Sequence, residues 1–116
     1  MQVVISARHC EISDHLKQRG YELAKKAAQF HDRLSRMDIT FNLENGHRYL
    51  ATVICHIDGR DHIIVEAEGE HWGQTLHDLR YRTRRQLKKA RAQEVEHEAP
   101  PLAERISPQG PDTEFA

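Results

Sequence analysis

Between Leu79 and Arg91 the chain reads LRYRTRRQLKKAR, a run with seven Lys/Arg residues and no acid. Wound as a helix at about 100° per residue, Trp72, Leu76, Leu79, Thr83, Leu87 and Ala90 fall within one stripe about 80° wide. The cations then form two rows outside it. Arg80, Arg84, Lys88 and Arg91 follow one flank, and Arg82, Arg85 and Lys89 the other. A solvated helix surface ordinarily alternates charge, because opposite signs four residues apart attract and like signs repel. Seven like charges in so short a span instead suit a polyanion, whose phosphates such a surface would neutralise with release of counterions. Tyr81, projecting between the two rows, is a candidate for stacking on a base. Trp72, inside the apolar stripe, reads as core.

Other residues that could carry chemistry are less well arranged. Nine histidines and two cysteines are present. His9 with Cys10, His56 with His62, and His71 with His77 are conceivable ligand pairs, but none has the spacing of a zinc site. Surface histidines are the simpler reading. Cys55 falls mid-strand and reads as a small core residue. No residues are arranged as nucleophile, base and orienting group. The expectation is a protein that is not an enzyme, with no metal and no cofactor. Two cysteines also make no disulfide framework, which suits a reduced, cytoplasmic setting. Neither a signal-peptide pattern nor an apolar run of membrane-spanning length occurs.

The elements that must position the basic run are legible upstream. Met1–Ala7 is β-branched and reads as a strand. Ser13 is placed to cap a helix whose face carries Leu16, Gly20, Leu23, Ala27, Phe30 and Leu34, with Lys17, Lys25 and Lys26 off it. Gly20 within that helix costs about 1 kcal/mol relative to Ala, and a closely packed neighbour would explain it. Arg36–Glu44 alternates strictly, Met37, Ile39, Phe41 and Leu43 against Asp38, Thr40, Asn42 and Glu44. Asn45-Gly46 is a hairpin turn signal, Tyr49–Ile57 the return strand, Asp58-Gly59 a second turn and His62–Gly69 a further strand. The predicted order is β-α-β-β-β-α. It is an α+β fold with a four-stranded mixed sheet and two helices packed on one face. A chain of 116 residues suits one such domain with a single core.

Charge divides the chain. Residues 1–93 carry a net +4 and residues 94–116 a net −5, the latter with all four prolines. The expected organisation is a folded βαβββα domain over 1–93 and a disordered acidic tail over 94–116, since a segment of that composition buries too little apolar surface to offset its ordering entropy.

Taken together, these residues resemble the hibernation-promoting factor and ribosome-associated inhibitor family of bacteria. The likeness is carried by the opening MQ-x-x-I-S with Glu11-Ile12-Ser13-x-x-Leu16-Lys17, by Phe30-x-Asp32-Arg33-Leu34, by Ala67-Glu68-Gly69-Glu70 and by Arg85-Gln86-Leu87-x-Lys89, and covers about residues 1–91. The resemblance implies a double-stranded-RNA-binding-like domain that sits in the tRNA and mRNA channel of the small ribosomal subunit, blocks initiation and keeps idle ribosomes intact. Its partners would be small-subunit ribosomal RNA and neighbouring ribosomal proteins, with no membrane and no small-molecule substrate, and the free protein would be a monomer. Carried over by position, the RNA-facing cations would be Lys26, Arg82, Arg85, Lys89 and Arg91, with Lys25 standing in for a basic position shifted by two. The chain departs from the family's pattern at His71, where Asp usually caps the second helix, at Trp72-Gly73, at Arg80 and at Thr83. The 23 residues after the folded region are too few for the C-terminal dimerising domain of the family's long members. An RNA-binding module for other structured RNA, unconnected with hibernation, is the alternative reading. A third is a protein that binds no nucleic acid, either a His-rich metal binder or a scaffold whose cationic helix docks an acidic partner.

Overall fold

The computed structural model describes residues 1–98, the side chains of 95–98 excepted. Six elements follow in the predicted order: β1 Gln2–Arg8, α1 Asp14–Ala27, β2 Leu34–Glu44, β3 Arg48–Ile57, β4 Ile63–Gly69 and α2 Trp72–Glu98. The sheet order is β1-β2-β3-β4. β1 lies parallel to β2, and the two remaining pairings are antiparallel. The α+β prediction is borne out, including the parallel first pair made possible by the intervening helix.

Strict alternation in β2 does what a period of two requires. Met37, Ile39 and Phe41 are fully buried on the helix side, and Leu43, nearer the hairpin, is half-buried. In register with them, Cys55, Val53 and Ala51 of β3 continue the same layer, and Val65 and Ala67 of β4 extend it. Asn45 and Gly46 both adopt positive φ, 54° and 72°, closing the hairpin. His47 N donates to Glu44 O across that turn at 3.2 Å.

Both helices cover this one face. Ser13 caps α1, its hydroxyl accepting from Leu16 N at 3.1 Å, and Leu16, Gly20, Leu23, Ala24 and Ala27 are buried. A Cβ on Gly20 would come within 2.8 Å of Ile5 Cδ1 and 3.8 Å of Phe41 Cζ. The missing side chain therefore lets α1 settle onto β1 and β2. The helix stops at Ala27, short of what the spacing of Phe30 and Leu34 suggests. Ala28 N, Gln29 N and Phe30 N turn back onto Ala24, Lys26 and Ala27 carbonyls, and Leu34 already opens β2.

In α2, Leu76, Leu79, Thr83, Leu87 and Ala90 are all buried. Trp72 packs edge-on to Phe41 and Tyr49, with ring centroids 5.3 and 4.9 Å apart. Thr75, which the apolar stripe does not include, is also buried, because its hydroxyl donates to Tyr49 O at 2.7 Å. The helix passes through residue 94, where the acidic segment was expected to begin, and continues to Glu98. Glu94 stays ordered because it meets a tertiary partner, the buried His31. Residues 99–116, the rest of the expected tail, lie outside the described residues. Among the described residues, no helix is long and apolar enough to cross a membrane.

Candidate nucleic-acid interface

Burying the α2 stripe leaves the cationic rows outside. Arg80, Arg82, Arg84, Arg85, Lys88 and Lys89 are exposed, and Arg91 is half-buried. The two rows meet different surroundings. Arg80 and Arg84 face α1, where Lys26 joins them, and line adjoining hollows of about 310 and 140 Å3. Leu23, Lys26 and Arg80 belong to both. Arg19, which the charge pattern of α2 does not reveal, adds a third cation to the second hollow, against the single acid Glu22. Lys25, one residue from Lys26, is exposed but lines neither.

On the other flank Arg82 reaches the edge of the sheet, its guanidinium donating to Glu66 O at 3.3 Å. It borders a shallow hollow that also carries Glu44, Glu66 and Glu68. The α1–α2 groove is thus the more uniformly positive of the two sides.

Tyr81 is 58% exposed, with the Arg85 guanidinium 5.8 Å from its ring centroid. Arg84 lies 5.4 Å from the centroid of Phe30. Both aromatic groups are therefore already stacked with a cation that faces outward. Tyr21 is also exposed, whereas Tyr49 and Trp72 are half-buried and pack against each other.

Local chemistry at the start of α2 replaces the Asp cap. His71 Nδ1 accepts from Gln74 N at 3.2 Å, and Gln74 Oε1 reaches back to accept from Glu70 N at 2.8 Å. The imidazole and amide together satisfy donors that a capping box would otherwise take. At its other end α2 is tied down by His31, 2% exposed. Arg33 N donates to His31 Nδ1 at 3.1 Å, so the other ring nitrogen carries the proton and donates to Glu94 Oε2. Arg33 (3.4 Å) and Arg60 (3.9 Å) flank the same carboxylate, and Arg91 pairs with Asp32 at 3.2 Å. These contacts, of which His31 to Glu94 spans 63 residues of sequence, hold the last basic residues in place.

The remaining histidine pairs do not converge as ligands. The rings of His56 and His62 meet at a tilt with centroids 4.1 Å apart, and His56 is taken up by Asp38 at 2.9 Å. Among the described residues no group of three His, Cys, Asp or Glu is placed to hold a metal. Burial pushes the Cys55 thiol up to about 12, so at neutral pH it is no nucleophile.

A fold with two helices on one face of a β1-β2-β3-β4 sheet, carrying an outward cationic surface on α2, can now be set beside known proteins. The family described as sigma 54 modulation protein / S30EA ribosomal protein matches residues 3–94. The chain belongs to this family. Its members are ribosome-associated hibernation and modulation proteins, and the resemblance seen in the sequence is borne out. The fold is shared with a ribosomal subunit interface protein from Coxiella burnetii at a TM-score of 0.65 and 23% identity, covering 79% of this chain and 99% of that one. It is shared too with the N-terminal domain of Thermus thermophilus Protein Y, at a TM-score of 0.68 and 17% identity, covering 77% and 98%. No curated protein sequence matches the chain closely enough to add to this.

Proposed function

We propose that this family member is a translation inhibitor and hibernation factor that binds the small ribosomal subunit in the tRNA–mRNA channel. It presents the α1–α2 face to ribosomal RNA. Lys26, Arg80 and Arg84 from the groove, Lys88 and Lys89 from the far end of α2, and Arg82, Arg85 and Arg91 would meet phosphates, with Lys25 at the margin and Tyr81 against a base. The observation that carries this reading is the exposure of six like charges along one helix, without an acid between Arg80 and Arg91. Such a surface is stabilised by a polyanion and by little else. The role is one of binding, in the cytoplasm where ribosomes work, and it blocks initiation by occupancy.

Sucrose-gradient sedimentation of a stationary-phase lysate tests it. Cosedimentation with the small subunit is expected. Protein remaining at the top of the gradient, or purified protein binding unrelated duplex RNA as tightly as the subunit, would overturn the ribosomal assignment.

A further inference from the structure

The larger hollow between α1 and α2 has features that a surface reading only phosphate does not need. Its volume is about 310 Å3, at the small end of ligand sites, which run from about 300 to 1,000 Å3. Leu23, Ala27 and Phe30 give it an apolar lining, while Lys26, Arg80 and Arg84 bring charge to it. Phe30 is half-buried with the Arg84 guanidinium over its ring. Aromatic rings and guanidinium planes are the platforms on which unpaired bases stack.

A second observation is independent of the stack. Thr83 lines the same hollow, is 1% exposed, and its hydroxyl has no hydrogen-bond partner among the described residues. A buried hydroxyl without a partner is unfavourable, and native structures leave few of them. A ligand with a flat apolar face, a hydrogen-bonding edge and an anionic group would use every part of this lining. A bare phosphate could take the Thr83 hydroxyl but would leave the apolar faces of Phe30 and Leu23 without a role.

We propose that the hollow receives a single nucleotide, its base against Phe30 and Arg84 and its phosphate on Lys26 and Arg80. The inference rests on the cationic-face reading above and refines it. Most contacts would be indifferent to base, but one position would require one. The nucleotide could come from a single-stranded stretch of RNA or be free in solution, since both offer the same chemistry. A base already unstacked enters at lower cost than one extruded from a duplex.

The test uses the full chain and two eight-unit ribose–phosphate oligomers of equal charge, one wholly abasic and one with a single central adenine. The base is expected to strengthen binding at least about five-fold, the low end of what stacking contributes. Phe30→Leu keeps the apolar volume but removes the ring. It should cut that gain, read as the ratio of its own affinities for the two oligomers, below two-fold. Equal, measurable binding of both oligomers by the unaltered chain overturns the nucleotide site and leaves the cationic face standing. Failure of both oligomers to bind sinks the nucleotide site and the cationic face together. A base-dependent gain that survives Phe30→Leu and disappears in Tyr81→Leu would put the base on Tyr81 and also overturn the assignment. Amide NMR titration with AMP against ribose 5-phosphate then separates the sources. Shifts at Gln29 and Thr83 with AMP alone identify a free nucleotide as sufficient, and their absence beside an intact oligomer gain assigns the site to a strand.

Discussion

On the open face of the sheet Arg36 meets Asp38 at 2.9 Å, and Arg48 lies between Glu44 at 3.2 Å and Glu68 at 2.7 Å. On α2, among the described residues, the seven cations from Arg80 to Arg91 make a single ion pair, Arg91 with Asp32. The same residue types are thus neutralised on one side and left available on the other. Cross-strand register explains the Arg48 pairs, since Glu44 stands directly opposite Arg48 and Glu68 opposite the next-but-one residue, Leu50, while Arg36 and Asp38 stand two apart on one face of β2. The helix explains the second: Arg80, Arg84 and Lys88 follow one another at four-residue steps, where an acid would have paired and a cation repels by about 0.2–0.5 kcal/mol. A surface that gives up local stability in this way leaves its charge available, whereas the sheet neutralises its own.

Reversing charge on α2 should break this contrast most severely. Arg82→Glu with Lys89→Glu is expected to weaken small-subunit binding at least 100-fold, about 2.7 kcal/mol. Neither residue lies in the buried stripe, so cooperative thermal unfolding should persist with Tm within about 3 °C, a stability change below about 1 kcal/mol. Loss of the unfolding transition would mean these side chains hold the fold together.

A smaller effect is expected where pairing and packing meet. Glu94→Gln keeps an acceptor for His31 but removes the charge shared with Arg33 and Arg60, and should lower stability by about 1–2 kcal/mol. Urea titration measures it. An unchanged midpoint would show that the end of α2 is not fastened through this carboxylate.

The ease of reading the two regions from sequence differs for the same physical reasons. Period two exposed β2, and Asn45-Gly46 announced its turn, because both signals are local. The α2 stripe was equally plain, since Leu76, Leu79, Leu87 and Ala90 recur at helical spacing. The end of α1 was hidden because Phe30 and Leu34 continue its apolar spacing through a turn with no Gly or Pro to mark it. Thr75 is buried through a bond to Tyr49 O, and polarity alone placed it outside the stripe. Glu94 reads from sequence as the start of an acidic tail, because its partner His31 lies far off in the chain. Arg19 carries no local signal, since only the packing of the two helices brings it to Lys26 and Arg80.

Acid should sharpen the contrast from the other side, with a lesser effect. Burial pushes the Asp38 carboxyl up, but hydrogen bonds from Arg36 and His56 and their charges outweigh it and hold it below the ordinary carboxylate value. The group therefore contributes stability that is present above its unfolded value and lost as pH falls through the depressed folded one. Asp38→Asn should cost at most about 1 kcal/mol at pH 7, because the pair is partly exposed. Its difference from the unaltered protein should vanish as pH falls through that window, with subunit binding at neutral pH unchanged. A difference that grows toward acid would contradict the assignment.

On the proposed reading the helix face, and not the sheet, meets phosphate. Its most direct test is the affinity of the purified chain for purified small subunits over a range of salt concentrations. With about four to six phosphates neutralised, the logarithm of the association constant should fall against the logarithm of salt with a slope of roughly −3 to −5. Arg82→Glu alone should make that slope shallower by about 1, and Arg48→Glu on the sheet should leave it unchanged. A nearly flat slope for the unaltered protein, or a slope that responds to Arg48 and ignores Arg82, would contradict the account.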